Sequence, residues 1–260
     1  MQLNETTATG MSSEAKAPAQ IASWGWLIGF FLIGAGVVVM GFLAQRGSSG
    51  NSSAAATGQL ASHSQAIPIY MGAIFMDWAL LYYCWAGVHR FGGNLRTLSG
   101  ERWASWKDVG VDAAIAVPFW VLWEGVAYGM WRLLTATMGS NSAKTVDSLL
   151  PQSLLEIVIW IATSITAGVC EEMAFRGFLQ RQLHALSGNV AVAVIGQGIV
   201  FGLFHSYQGW RNVVVISVLG ILYGGLAAWR RNLRVNIVTH AFGDIWEGWL
   251  KFVVGHPIWL

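Results

Sequence analysis

The chain consists of long apolar runs separated by short polar or charged stretches. Seven runs approach or exceed the roughly 20 helical residues needed to cross a hydrocarbon core of roughly 30 Å. No stretch of the sequence has the regular apolar–polar alternation of a half-buried strand. The pattern predicts an all-α fold, a polytopic transmembrane helical bundle of seven spans, although eight also fit. The spans are predicted at residues 21–44, 67–88, 111–135, 153 to about 184, 189–206, 212–230 and 235–255.

Composition supports lipid as the solvent for most of this chain. Hydrophobic residues make up 55% of it and charged residues 11%, against roughly a quarter charged in soluble domains. Residues 1–20 form a polar tail. The run after it exceeds the roughly 7–15 apolar residues of a signal peptide, so we expect an uncleaved span. The net charge of +2 is too small to indicate a nucleic-acid partner. Cys84 and Cys170 lie in apolar runs, as buried thiols do.

Cations between the spans predict how the protein lies in the membrane. Residues 46–66 are rich in Ser, Gly and Ala and are interpreted as a flexible loop. Residues 89–110 and the turn RRNLR at 230–234 together carry seven Arg or Lys residues, and such loops usually face the cytoplasm. With seven spans, this places the N-terminus in the cytoplasm and the C-terminus outside.

Ionisable side chains within the spans mark a candidate site, because they are costly in lipid unless they face the bundle interior. They are Glu171, Glu172, Arg176, His205, His240, Asp244 and Glu247, with Asp77 and Glu124 isolated on earlier spans. Helical residues four apart share a face, so Glu172 and Arg176 are predicted to pair. Glu171 then has no partner on its own helix.

Neighbouring spans can supply a partner for Glu171. Gly188 is a predicted turn, and Glu171 and His205 each lie 17 residues from it, so two antiparallel helices bring them to one level. His240 is predicted at a similar depth, with Asp244 one helical turn further on the same face. The residues therefore predict one polar layer, which opens toward the cytoplasmic side.

This set of groups suits hydrolysis. A carboxylate in apolar surroundings takes up a proton more readily than in water, which makes it a usable general base, and a nearby histidine can orient the attacking water. His240 and Asp244 can then bind the oxyanion that forms on the scissile carbonyl, or complete a metal site. No Ser or Cys in the sequence has a comparable base beside it.

Three motifs carry a family resemblance. EEMAFR fits EExxxR at Glu171, Glu172 and Arg176, FGLFH fits FxxxH at Phe201 and His205, and HAFGD fits HxxxN/D at His240 and Asp244. Over about residues 150–255, the chain resembles the CAAX-protease and bacteriocin-processing family of intramembrane endopeptidases, also called the Abi family. Residues 21–135, three predicted spans, are similar only in being hydrophobic.

The resemblance implies a glutamate-dependent protease that cuts a membrane-embedded or lipidated peptide within the bilayer. The implied catalytic residues are Glu171, His205, His240 and Asp244, with Glu172, Arg176 and Phe201 in support. Glu171 is then the base, and His205 helps it to activate water. Asp244 stands where the CAAX prenyl proteases have asparagine, and an ionised aspartate cannot donate a hydrogen bond to an oxyanion. It must be protonated, orient His240, or bind a metal. No cofactor is assigned, although the four catalytic residues would also serve zinc.

Other interpretations of the same residues stay open. The polar layer is alternatively a buried network that joins helices, and the protein a non-proteolytic membrane scaffold or bacteriocin-immunity protein of the same family. A transporter with a proton relay is less favoured, because the sequence lacks matching interrupted helices. Asp77 and Glu124 are interpreted as helix–helix hydrogen-bonding groups or parts of a substrate groove. Glu247, on the face of His240, can extend the site.

Overall fold

The computed structural model describes residues 19–49, 63–138 and 150–254, and their regular structure is entirely helical. The helices are α1 Trp24–Ser49, α2 His63–Arg90, α3 Leu95–Ser99, α4 Trp106–Met138, α5 Leu154–Ser187, α6 Val190–Phe204, α7 Trp210–Arg230 and α8 Arg234–Val254. A 3-10 turn, Ser206–Gln208, joins α6 to α7. The predicted all-α bundle is confirmed, and each predicted span corresponds to one of these helices.

Five of these helices, α1, α2, α4, α5 and α7, are long and apolar enough to cross a membrane by length and composition. α6 is apolar but has only 15 residues, and α8 carries the charged groups of the candidate site. The protein is therefore an integral membrane protein. The number of spans, seven, stays a prediction.

Some predicted boundaries are wrong. The third long helix, α4, begins at Trp106 rather than 111, because the Asp108 carboxylate accepts hydrogen bonds from the backbone of Ala104 and Ser105 and so caps its start. α1 continues to Ser49 and α2 begins at His63, so both ends of the predicted loop 46–66 are helical. The rest of that loop and residues 1–18 of the predicted polar tail lie outside the described residues.

α5 lies at the centre of the bundle, and aromatic packing joins it to α1. The ring of Phe30 lies 5.5 Å from that of Phe175 and 5.8 Å from that of Phe178, both on α5. Against α8, the approach depends on a glycine: a methyl group added to Gly168 would lie 2.9 Å from the backbone nitrogen of Ala241. These contacts bring α8 close enough for its polar side chains to reach those of α5.

The two cation-rich connections meet at one end of the bundle. Asp112 binds Arg230 at 2.7 Å and Arg234 at 2.6 Å. In addition, the Leu233 amide donates to the Ser99 carbonyl at 3.0 Å, which ties the α7–α8 turn to the segment that follows α2. The topology prediction requires that both connections lie on the same side of the membrane, and their contacts agree with this. Which side of the membrane they face stays a prediction.

Candidate active site

A cavity of about 550 Å³ runs into the centre of the bundle. Its walls come from α1, α2, α4, α5, α6, α7 and α8, and most of its lining is apolar or aromatic. The ionisable groups that line it are Tyr70, Asp77, Glu171, His205, Tyr207, Arg211, Tyr223, His240, Asp244 and Glu247. All four residues that the sequence predicts to be catalytic therefore face one space, and the three N-terminal long helices supply much of its apolar wall.

The EEMAFR motif lies where α5 changes from α-helical to π-helical geometry. The α-helical part ends at Glu171, and the π-helical part covers Glu172–Leu179, all of whose residues are buried. Sequence reasoning predicts a continuous α-helix here and misses this change. Isolated π-helical turns within α-helices occur often at functional sites, because the extra residue per turn redirects the side chains.

Glu172 and Arg176 form the predicted ion pair, with the carboxylate and guanidinium 2.9 Å apart and both side chains inaccessible to solvent. The guanidinium also lies 4.2 Å from the centre of the Phe201 ring, which explains the supporting position of this phenylalanine. The ion pair holds the guanidinium in place on α5, and its contact with Phe201 joins α5 to α6.

Glu172 also holds His240, which the sequence analysis did not foresee. Its Oε1 atom lies 2.9 Å from Nδ1 of His240, and its Oε2 atom accepts a hydrogen bond of 3.1 Å from Asn236. Asn236 is fully buried and precedes His240 by one helical turn, so the i, i+4 spacing was the signal available in the sequence. These contacts fix the imidazole with Nε2 turned toward the cavity.

Two carboxylates lie beside Nε2 of His240. Glu171 Oε2, on α5, is 3.8 Å away, and Asp244 Oδ2, one turn further along α8, is 3.7 Å away. The imidazole of His240 therefore lies between these two carboxylates. The backbone carbonyl of Asp244 is held in turn by the indole of Trp160, at 2.7 Å. The predicted neighbourhood of Glu171, His240 and Asp244 is thus present.

The side chain of Glu171 is more exposed than that of Glu172 and makes fewer hydrogen bonds with the described residues. Its side chain is 16% exposed, and its buried Oε2 atom accepts no hydrogen bond from the described residues. His205 ends α6, with Nδ1 held 2.9 Å from the Phe201 carbonyl. Both side chains line the cavity, but in the described part of the chain no ion pair within 4.0 Å joins them. The cavity therefore reaches both side chains.

The other acidic residues singled out in the sequence differ in whether they line the cavity. Asp77 and Glu247 line it, whereas Glu124 is absent from its described lining and lies within electrostatic range of Glu247. Asp77 makes no hydrogen bond with the described residues, so its interpretation as a helix–helix hydrogen-bonding group is wrong. Asp77 lines the cavity, as expected of a residue in a substrate groove.

The donor types of the site suit zinc, but their arrangement does not. Among the described residues, no group of three or more His, Cys, Asp or Glu side chains is arranged to hold a metal ion. Nδ1 of His240 is engaged by Glu172 and Nδ1 of His205 by a backbone carbonyl, so Nε2 is the nitrogen of each ring that is left for water, substrate or an ion.

The fold and cavity define a polytopic helical membrane protein with an acidic site inside its bundle. Residues 153–246 match the family model described as type II CAAX prenyl endopeptidase Rce1-like, which confirms the resemblance seen in the motifs. No curated protein and no solved structure matches the chain. The matched segment runs from the start of α5 into α8 and contains all three motifs. This similarity supports a CAAX-type protease activity.

Proposed function

We propose that this protein is an intramembrane endopeptidase that hydrolyses a peptide bond of a membrane-embedded or lipidated substrate, with Glu171 as the general base. One observation carries the proposal. Glu171 has a buried carboxylate oxygen that accepts no hydrogen bond from the described residues, and this side chain faces a cavity of about 550 Å³ beside two histidines. A carboxylate that joins helices has its oxygens engaged, as those of Glu172 are.

The attacking water binds between Glu171 and His205, where the two side chains leave room. Glu171 takes a proton from the water as its oxygen attacks the carbonyl, and His205 orients the water through the ring nitrogen that Phe201 leaves free. The Phe201 contact fixes the plane of the His205 ring, so the orientation is set before substrate binds.

Side chains of α8 contact the reacting carbonyl from the side opposite the attacking water. His240 in its doubly protonated form donates from Nε2 to the oxyanion, and the buried carboxylate of Glu172 balances its charge through Nδ1. Asp244, one turn further along α8, completes this side of the site by orienting His240 or, when protonated, by donating itself. Donors fixed in advance stabilise the transition state without reorganisation.

The cavity wall favours a substrate that reaches the site from the bilayer. Its apolar residues come from α1, α2 and α4 as well as the family-matched helices, and its volume is sufficient for several side chains or part of a lipid chain. A free polar peptide would lose its hydration on entering such a space without compensation. A lipidated or membrane-embedded peptide has already lost most of that hydration.

Cleavage in a defined bilayer tests the proposal. The protein is reconstituted in nanodiscs with an internally quenched CAAX peptide whose cysteine is prenylated, and product formation is followed by fluorescence and mass spectrometry. The wild-type protein and Glu101→Gln, a control at an exposed loop carboxylate, are expected to cut one bond, whereas Glu171→Gln should not. Cleavage by Glu171→Gln at the wild-type rate would overturn the assignment of the base. No cleavage by the wild-type protein would favour the scaffold.

A further inference from the structure

Asp77 brings a carboxylate to the site from α2, outside the family-matched segment 153–246. Tyr70, Ala73, Asp77 and Leu80 all line the central cavity, and their spacing of three or four residues places them on one face of α2. Because this face looks inward, Asp77 is part of the cavity wall rather than of the lipid-facing surface. Its side chain shares the cavity with Glu171.

The surroundings of Asp77 consist of the reacting groups themselves. It lies within electrostatic range of Glu171, His240 and Asp244, and Cys170 and Tyr207 lie within electrostatic range of it. Within the described part of the chain it accepts no hydrogen bond and forms no ion pair. An acidic side chain with no structural partner and a place in the cavity is available for chemistry.

Hydrolysis of an amide needs a proton donor for the leaving nitrogen, because the C–N bond breaks only as that nitrogen gains a proton. Glu171 faces the attacking water, so a second carboxylate in the same cavity can serve the leaving group. Asp77 lines the cavity with Glu171 and lies within electrostatic range of it, and two such carboxylates disfavour each other's ionised form, which lets the pair share a proton.

We propose that Asp77 is the catalytic acid, which protonates the leaving amine of the peptide bond. Water adds to the carbonyl carbon and gives one proton to Glu171. Asp77 then gives its proton to the nitrogen as the C–N bond breaks, leaving a carboxylic acid and a free amine. The proton on Glu171 passes to Asp77, which restores the starting state and balances the reaction.

The position of Asp77 suits this role better than that of Asp244. α2 and α8 each pack against α5, so the two aspartates reach Glu171 from different helices. Asp244 lies 3.7 Å from Nε2 of His240 and so belongs to the oxyanion side. Asp77 lies on α2 and makes no contact of this kind with His240, which leaves it available to the leaving group.

The inference rests on the proposed protease function, and a pair of matched substrates separates the two. One is the prenylated peptide, and the other has the same acyl part with a thioester at the scissile bond. A thiolate leaves without being protonated, whereas an amine does not. Asp77→Asn keeps the shape of the side chain but cannot act as the acid. It should slow peptide cleavage by about 10²- to 10⁴-fold and retain most of the thioester hydrolysis.

The folding of Asp77→Asn is checked separately, by denaturation in mixed micelles with increasing SDS, so that the two activities of the folded variant report on chemistry alone. Glu171→Gln should lose both activities, because water must be activated in either case. An equal loss of both activities in Asp77→Asn, or an unchanged rate on the peptide, would overturn the role of Asp77 while leaving the protease proposal intact. A wild-type protein that cuts neither substrate would instead overturn the proposed function, and this inference with it.

Discussion

Replacing Glu172 by glutamine should destabilise the protein strongly, because the Glu172 carboxylate accepts three hydrogen bonds and joins α5 to α8. It accepts hydrogen bonds from Arg176 at 2.9 Å, from Asn236 at 3.1 Å and from His240 at 2.9 Å. Glu172→Gln keeps the shape but leaves the Arg176 guanidinium, whose residue is 1% exposed, without a counter-charge. Removing one partner of a buried ion pair costs about 3–5 kcal/mol.

The contacts that Arg176 keeps cannot replace the lost charge. The Phe201 ring lies 4.2 Å from the guanidinium carbon, and the Gly220 carbonyl accepts a long hydrogen bond of 3.4 Å. A cation–π contact contributes about 2 kcal/mol when desolvated, and it is already present in the wild-type protein. The amide oxygen of the new glutamine can accept one hydrogen bond, so we expect a loss near the lower end, about 3 kcal/mol.

The assay is denaturation in mixed micelles with increasing SDS, followed by circular dichroism. A double variant, Glu172→Gln with Arg176→Met, removes both charges of the ion pair and should recover most of the stability, since no guanidinium is left buried without a counter-charge. Its activity should stay low, because the negative charge that balances protonated His240 is gone. Wild-type stability in the single variant, or no recovery in the double variant, would refute the charge-pair explanation.

Three further predictions follow from the topology, the helix packing and the oxyanion side. Single cysteines in the turn 184–190, in a background without native cysteines, should react with an impermeant thiol reagent only after the membrane is opened; labelling of sealed cells would invert the orientation. Gly168→Ala should lower stability, since the added methyl group would lie 2.9 Å from α8, whereas Gly225→Ala, with nothing within 4 Å of the new methyl group, should not. Equal effects of the two substitutions would contradict this packing. Asp244→Asn should retain peptide cleavage without stoichiometric metal after chelator treatment, because an amide can donate to an oxyanion. Joint loss of activity and bound zinc would indicate a metal site instead.

The helical pattern of this chain could be predicted because its strongest sequence signal is hydrophobic length. The apolar runs gave the helices, and the i, i+4 spacing gave the Glu172–Arg176 pair, which is confirmed. Helix boundaries depend on hydrogen bonds of single side chains. The cap from Asp108 therefore moved the start of α4 in a way that hydropathy does not record.

The predicted site was incomplete because its geometry depends on the local helix form and on contacts between helices. The π-helical turn after Glu171 has no simple sequence signal, and it alters the directions that an α-helical wheel assigns to the residues after it. Asn236 lies outside the motifs, although its spacing from His240 was visible. Asp77 was isolated in the sequence, and only the packing of α2 on α5 brings it to the cavity.

The central claim is that water, activated by Glu171, attacks a peptide bond inside the bundle. Cleavage of the prenylated peptide in water enriched in ¹⁸O, in nanodiscs and under single-turnover conditions, measures this most directly. Wild-type protein and Glu101→Gln should give a product with one ¹⁸O atom in its new carboxyl group, and Glu171→Gln should give no product above the uncatalysed background. Wild-type yields of labelled product from Glu171→Gln would contradict the account.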